Sequence, residues 1–213
     1  AALGWKAVFW LFGVIGVLLG VLWFKFVPDN PKQSPYVNEA ELEHINDGRE
    51  NTVEAKEIAP WGKLLKSSQF WSLGLQFMIT DYIMYVFLAW LPLYLMEVHG
   101  FSLSKMGLWA AAPWLSLMAV VSCCGYLSDK AIAAGFSQNL VKTSTGAVGI
   151  LLCACTLFIA TRTADPMMNV FWLSVALGSL GLTMSASWSS VISMGGRFAG
   201  SVSGWMNFWG NIG

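Results

Sequence analysis

The chain has 213 residues, 56% of them hydrophobic and 11% charged, with a formal net charge of zero. A soluble domain carries about 25% charged residues, and here the shortfall is uneven: 13 of the 24 Asp, Glu, Lys and Arg residues lie between Pro28 and Gln69, leaving 11 for the other 171 positions. Those positions cannot coat a water-facing surface, so a soluble globule is excluded, and the charge balance argues against nucleic acid as a partner.

A lipid bilayer is the solvent that suits such a chain, and a helix needs about 20 mostly apolar residues to cross its roughly 30 Å hydrocarbon layer. The first stretch of that length is 7–27, closed by Lys25 and Pro28-Asp29. The polar segment 28–69 follows, with eight acids and five bases; within it, 38–47 is predicted as a short amphipathic surface helix and the remainder as a solvated tether. Further spans are predicted at 70–96, interrupted by Asp81, at 107–127, at 143–160 and at 167–194, and a sixth begins at Phe198. The short connections 97–105, 128–142 and 161–166 imply that consecutive spans are antiparallel neighbours. The chain opens on Ala1 and stops at Gly213 within an apolar run, and it reads as a piece of a longer protein.

Lys and Arg are retained on the cytoplasmic side of a membrane. Lys25, Lys32, Arg49, Lys56, Lys63, Lys66, Lys130, Lys142 and Arg197 fall on one side of the predicted spans, and Lys6, Lys105 and Arg162 on the other, which puts the linker 28–69 in the cytoplasm. Trp5, Trp10, Trp23, Trp71, Trp109 and Trp172 lie near span ends, where interfacial anchors belong. Close helix packing in lipid needs small residues. Gly13, Gly16 and Gly20 supply them in the first span, Gly178 and Gly181 in the fifth, and Gly196, Gly200 and Gly204 toward the sixth; the alternative for any of them is a hinge.

Asp81 is the one charged side chain deep in a span, roughly 17 Å along the helix from Phe70. A charge at that depth costs about 2.5 to 3.5 kcal/mol even on the lenient insertion scale, so it should face a cavity or a partner. Tyr82 and Tyr85 fall on the same side, with Gly74, Met78, Ala89 and Pro92 completing the stripe. A carboxyl held away from water there is a candidate for binding and releasing protons, with a bond to a neighbouring helix as the alternative. Ser185, Ser187, Ser189 and Ser190 with Trp188, and the pair Asn207 and Asn211, also fall at membrane depth. Hydroxyls can bond back to their own helix, whereas an amide pair flanked by Trp205 and Trp209 points to another helix or to a hydroxylated ligand. Cys123, Cys124, Cys153 and Cys155 sit in apolar runs away from His and carboxylates, so no metal site is predicted. His44 and His99 fall in polar connections, and the sequence carries no enzyme or cofactor signature.

Gly125-Tyr126-Leu127-Ser128-Asp129-Lys130 resembles the Gly-x-Leu-Ala/Ser-Asp-Arg/Lys signature of the major facilitator superfamily, whose second copy joins helices eight and nine. The resemblance implies an all-α, polytopic membrane bundle. This stretch would supply helix six (1–27), the cytoplasmic linker between two six-helix halves (28–69) and an incomplete carboxy-terminal half from helix seven to the start of helix eleven (70–213). Tyr82-x-x-Tyr85-x-Phe87-Leu88-x-Trp90-Leu91-Pro92-x-Tyr94-Leu95 and Gly204-x-x-Asn207-Phe208-x-Gly210-Asn211-x-Gly213 are similar to the anion:cation symporter group of that superfamily. That group implies proton-coupled uptake of a small organic anion, such as a sugar acid, by alternating access across a cell membrane, with the bacterial inner membrane as the expected location. It further implies that Tyr85 and Asn207 line the cavity, with Tyr82, Trp90, Ser189 and Asn211 beside them. Gly125, Asp129 and Lys130 would form a cytoplasmic gate. The group's coupling carboxylate and substrate-clamping Arg belong to the amino-terminal half, which this chain lacks, so that half is an expected partner. Asp81 departs from the pattern, because a carboxylate beside an anion would repel it unless protonated. The competing expectations are a carrier of a neutral sugar or other solute and, from another class, a polytopic membrane enzyme or sensor.

Overall fold

The structure is a computed structural model that describes residues 4–28, 31–46 and 59–213; the linker charges Asp29, Asp47, Arg49, Glu50, Glu54, Lys56 and Glu57 lie outside the described residues. The chain divides into two compact units, Ala1–Glu57 and Ile58–Gly213. The first holds α1 (Trp5–Phe26) and α2 (Glu39–Asn46). Helix α1 is apolar on every side and long enough to cross a bilayer, while α2 is the surface helix expected within 38–47. The start of α2 follows from Asn38, whose Oδ1 accepts the backbone N–H of Glu41 at 2.8 Å, with Glu39 and Glu41 placed at the positive end of the helix dipole. A Cβ on Gly13, Gly16 or Gly20 would meet nothing within 4 Å, so within its own unit α1 does not use these glycines for close packing.

The second unit holds α3 (Trp61–Leu64), α4 (Ser68–Glu97), α5 (Leu103–Trp109), α6 (Ala111–Ala133), α7 (Gln138–Arg162), α8 (Pro166–Gly195) and α9 (Ala199–Gly210). Together with α1, five helical stretches among the described residues are long and apolar enough to cross a membrane. Local chemistry sets their ends. Ser137 caps α7 by accepting the Leu140 N–H at 3.2 Å; Asp165 caps α8 by accepting the Met168 N–H at 2.8 Å, with Pro166 at the first helical position. Gly135 (φ +98°) and Gly196 (φ +48°) stop α6 and α8 in a backbone region that L side chains rarely adopt. The predicted third span is divided between α5 and α6 at Ala110. Pro113 lacks the N–H that Trp109 O would accept in a continuous helix.

The expectation that consecutive spans are neighbours holds for α7 and α8, the most extensively packed pair, but only weakly for α6 and α7. Helix α8 is the hub, flanked by α6 and α7, while α6 and α7 touch each other little; α4 lies chiefly along α9. Small residues explain the hub. A Cβ on Gly181 would lie 3.1 Å from Val121 N and 3.2 Å from Leu117 O on α6, and Gly178 abuts Ser116. On the other side, a Cβ on Gly149 of α7 would come within 2.7 Å of Ser179 O and 2.9 Å of Thr183 N. Without a hydrophobic drive between helices in lipid, such backbone approach supplies the dispersion contact. Polar cross-links add to it. Thr183 Oγ1 donates to Gly146 O at 3.1 Å, and the buried Asn169 Nδ2 donates to Ala160 O at 2.8 Å. Gly196, Gly200 and Gly204 depart from the expected packing stripe: Gly196 is the helix break, and a Cβ on any of the three would meet nothing within 4 Å.

Two apolar clusters fill the unit, one around Phe87, Leu91, Leu95, Leu117, Leu177 and Leu180, the other around Phe70, Phe77, Val191, Val202 and Met206. In the second cluster Phe70 stacks on Trp205 at 4.8 Å, and Trp71 meets Trp209 edge-on at 5.8 Å. Gly74 accommodates the Trp209 ring, and Gly213 lies against Met78. These pairs advance together along both helices, so α4 and α9 run parallel.

Candidate functional site

Asp81 lies thirteen residues into α4, about 20 Å from its start. Its carboxylate is half-buried and abuts Gly210 on α9, where a Cβ would also come within 3.0 Å of the Phe77 ring. Glycine at 210 is what lets a carboxylate lie between these two helices. Among the described residues Asp81 has no hydrogen-bond or ion-pair partner. The bland reading, a bond to a neighbouring helix, is therefore not what the geometry displays.

The other predicted residues distribute as follows. Tyr85 continues the Asp81 stripe one turn on and is exposed, and Tyr82 is exposed to one side of it. Trp90 is exposed and falls about 180° from Asp81 around α4 at 3.6 residues per turn, so the structure does not bring it to the same face. Asn207 and Asn211 are exposed on α9, on either side of the Gly210 contact in sequence. Their amides bond within their own helix: Asn207 Nδ2 donates to Ser203 O at 3.1 Å, and Asn211 Nδ2 to Asn207 O at 2.8 Å. The expected partner on another helix is absent among the described residues, and both amide oxygens remain open as acceptors. Asp81 thus meets α9 at Gly210, Asn207 and Asn211 flank that contact in sequence, Tyr85 lies a turn further along α4, and Ser189 lies on α8.

The serine cluster of α8 separates into roles. Ser190 Oγ bonds back to Ala186 O at 2.7 Å, whereas buried Ser187 donates to Thr183 O at 2.8 Å and lies 3.0 Å from the Gln76 side-chain amide on α4. Trp188 meets Phe77 edge-on at 6.2 Å, one turn before Asp81 on α4. Sequence reasoning missed Gln76, although an amide inside an apolar stretch was the same signal that singled out Asn207. It also missed Lys142, which had been assigned to a polar connection. The connection is shorter, 134–137, because Ser137 starts α7. Lys142 is 8% exposed, and its Nζ donates to Ser189 O at 3.1 Å.

Gly125, Asp129 and Lys130 do not form a joining loop. All three lie in the last turns of α6, with Lys130 Nζ 4.6 Å from the Tyr126 ring centre. His99 faces the Tyr94 hydroxyl at 3.2 Å at the far end of α4. No cluster of metal-ligating side chains occurs among the described residues.

Comparison with known proteins agrees with this architecture. The family profile described as Major Facilitator Superfamily matches residues 1–213. The ascorbate transporter of Arabidopsis thaliana chloroplasts is 28% identical over 204 residues, covering 96% of this chain and 38% of that protein. The probable sulfoacetate transporter SauU of Cupriavidus necator is 30% identical over 210 residues, 97% of this chain and 48% of that protein. The probable galactarate/D-glucarate transporter GudP of Bacillus subtilis is 30% identical over 221 residues, 98% of this chain and 48% of that protein. The chain therefore spans half or less of the length of these relatives.

Proposed function

Because the chain belongs to the Major Facilitator Superfamily and is part of a multi-pass membrane protein, we propose that it supplies helix six, the linker and most of the carboxy-terminal half of a carrier for a small organic anion. The carrier works by alternating access, takes up a sugar acid or similar hydroxylated acid together with protons, and lies in the bacterial inner membrane with the linker in the cytoplasm. Relatives named for ascorbate, sulfoacetate and glucarate transport support an anionic solute. The observation that supports the site is the approach of the Asp81 carboxylate to Gly210, between two parallel helices of which the other carries Asn207.

In this reading the amide oxygens of Asn207 and Asn211 and the phenol of Tyr85 bond the hydroxyls of the solute, with Tyr82 and Ser189 as outer contacts, and Trp90, on the opposite face of α4, takes no part. Asp81 binds a proton before the anion approaches, and the amino-terminal half contributes the opposing wall. Gly125, Asp129 and Lys130, at the end of α6, form the cytoplasmic gate. The unpaired Asp81 carboxylate also favours a second reading, a carrier of a neutral sugar, since a fixed negative charge does not oppose an uncharged solute.

Uptake of a labelled hexonate by the full-length protein in proteoliposomes tests both readings. Asn207→Ala should raise KM about tenfold, the loss of one hydrogen bond of about 1.4 kcal/mol. Asp81→Asn should flatten the dependence of uptake on pH. An unchanged pH profile removes Asp81 from the coupling, and uptake of labelled neutral hexoses but not of labelled hexonates establishes the second reading.

A further inference from the structure

Successive contacts join α7 to α8, and they lengthen toward the start of α7. A Cβ on Gly149 would come within 2.7 Å of Ser179 O and 2.9 Å of Thr183 N, so the two backbones touch there. About one turn nearer the start, a Cβ on Gly146 would meet only the Ala186 Cβ, at 3.5 Å. After a further turn the gap is bridged by the long stem of Lys142, whose Nζ donates to Ser189 O at 3.1 Å. The two helices therefore splay, and the buried ammonium makes the outermost hydrogen bond between them at this end among the described residues.

The same stretch of α8 is held from α4 as well. Ser187 lies 3.0 Å from the Gln76 side-chain amide, and Trp188 meets Phe77 edge-on at 6.2 Å. Phe77 in turn lies against Gly210, beside Asp81. Three consecutive residues of α8, 187–189, are thus gripped between α4 and α7 next to the seam that holds the carboxylate. The hydroxyls of Ser187, Ser190 and Ser193 turn back onto the α8 carbonyls of Thr183, Ala186 and Ser190, which weakens a helix. The Ser189 hydroxyl makes no hydrogen bond among the described residues, while its carbonyl is the one that Lys142 holds. Burying an ammonium costs free energy that a methionine of similar length would not, so packing alone does not account for a lysine here. We propose that Lys142 is a positioning residue of the transport site, a strut that fixes the 187–189 stretch of α8 and so presents the free Ser189 hydroxyl to the solute. This inference rests on the transport reading above, in which Ser189 is an outer contact.

Two measurements on the full-length protein test the strut: uptake of labelled hexonate in proteoliposomes, with KM and kcat read separately, and hydrogen exchange in detergent. Lys142→Met should raise KM about fivefold and leave kcat within about twofold of the wild type. Its melting temperature should not fall, since methionine replaces a buried charge. Lys142→Arg should restore KM. Adding Ser189→Ala to Lys142→Met should raise KM no further, because both changes remove the same contact. In Lys142→Met the amides of 187–193 should exchange about tenfold faster, while those of 176–183, beside Gly149, keep their rate. Asp165→Ala, which weakens α8 at its other end, should leave KM unchanged. Should Lys142→Met not fold, Lys142→Gln, whose shorter side chain does not reach as far, serves in the same comparisons. The proposal is overturned if KM and the exchange of 187–193 match the wild type, if the loss lies in kcat alone, if Lys142→Arg does not restore KM, or if Ser189→Ala adds its full effect to Lys142→Met. Absence of hexonate uptake by the wild type sinks the transport reading instead, and the exchange of 187–193 then decides on its own whether Lys142 is the strut.

Discussion

Adding a single methyl group to α7 should have opposite consequences one helical turn apart. In Gly149→Ala the new Cβ would lie 2.7 Å from Ser179 O and 2.9 Å from Thr183 N, both backbone atoms of α8 that cannot swing aside. The two helices must separate, and overpacking of this kind costs about 1 to 3 kcal/mol. In Gly146→Ala the nearest atom would be the Ala186 Cβ at 3.5 Å, ordinary van der Waals contact. That variant keeps the interface and gains up to about 1 kcal/mol from the smaller entropy loss of alanine in a helix. For a unit of this size about 1 kcal/mol moves the midpoint by 2 to 4 °C. Gly149→Ala should therefore melt about 2 to 12 °C below the wild type in detergent, and Gly146→Ala at or slightly above it. Circular dichroism at 222 nm, on samples matched for detergent and lipid content, reads both. Equal shifts in the two variants, or a larger loss at Gly146, would refute the argument that backbone contact between α7 and α8 holds the hub together.

Two further variants probe how α8 is anchored. Asp165→Ala removes the side chain that caps α8 on Met168 N and should lower stability by about 1 kcal/mol, seen as a midpoint drop of about 2 to 4 °C, with Asp165→Asn close to wild type. Asn169→Leu removes the side-chain bond that ties α8 to Ala160 O, a carbonyl that keeps the Thr163 N–H at 3.1 Å, and should cost about 0.5 to 1.5 kcal/mol. Limited proteolysis of the 161–166 connection should then proceed faster, and an unchanged rate would show that the amide does not hold the end of α7 to the start of α8.

Whether a segment is long and apolar enough to cross lipid is a local sum over neighbours in the chain, and that is why the spans were legible residue by residue. The start of α2 was legible for the same reason, since Asn38 acts within three residues of itself; Ser137 and Asp165 act just as locally but went unread, and α7 starts five residues before the position expected of it. The family signature at 125–130 was readable as a string, although its residues proved to lie in the last turns of α6 rather than in a loop. What the string did not contain was the choice of neighbour. Gly149, Gly178 and Gly181 make close contacts while Gly200 and Gly204 make none, because a glycine acts only where another helix presents its backbone at the same height and angle. Lys142 looked like a loop charge because its neighbours in the chain are polar; its burial depends on Ser189, forty-seven residues away. Asp81, by contrast, was marked by its cost in lipid alone, and the tertiary structure added the one fact that cost could not supply, which is that α9 offers a glycine at position 210 to receive it.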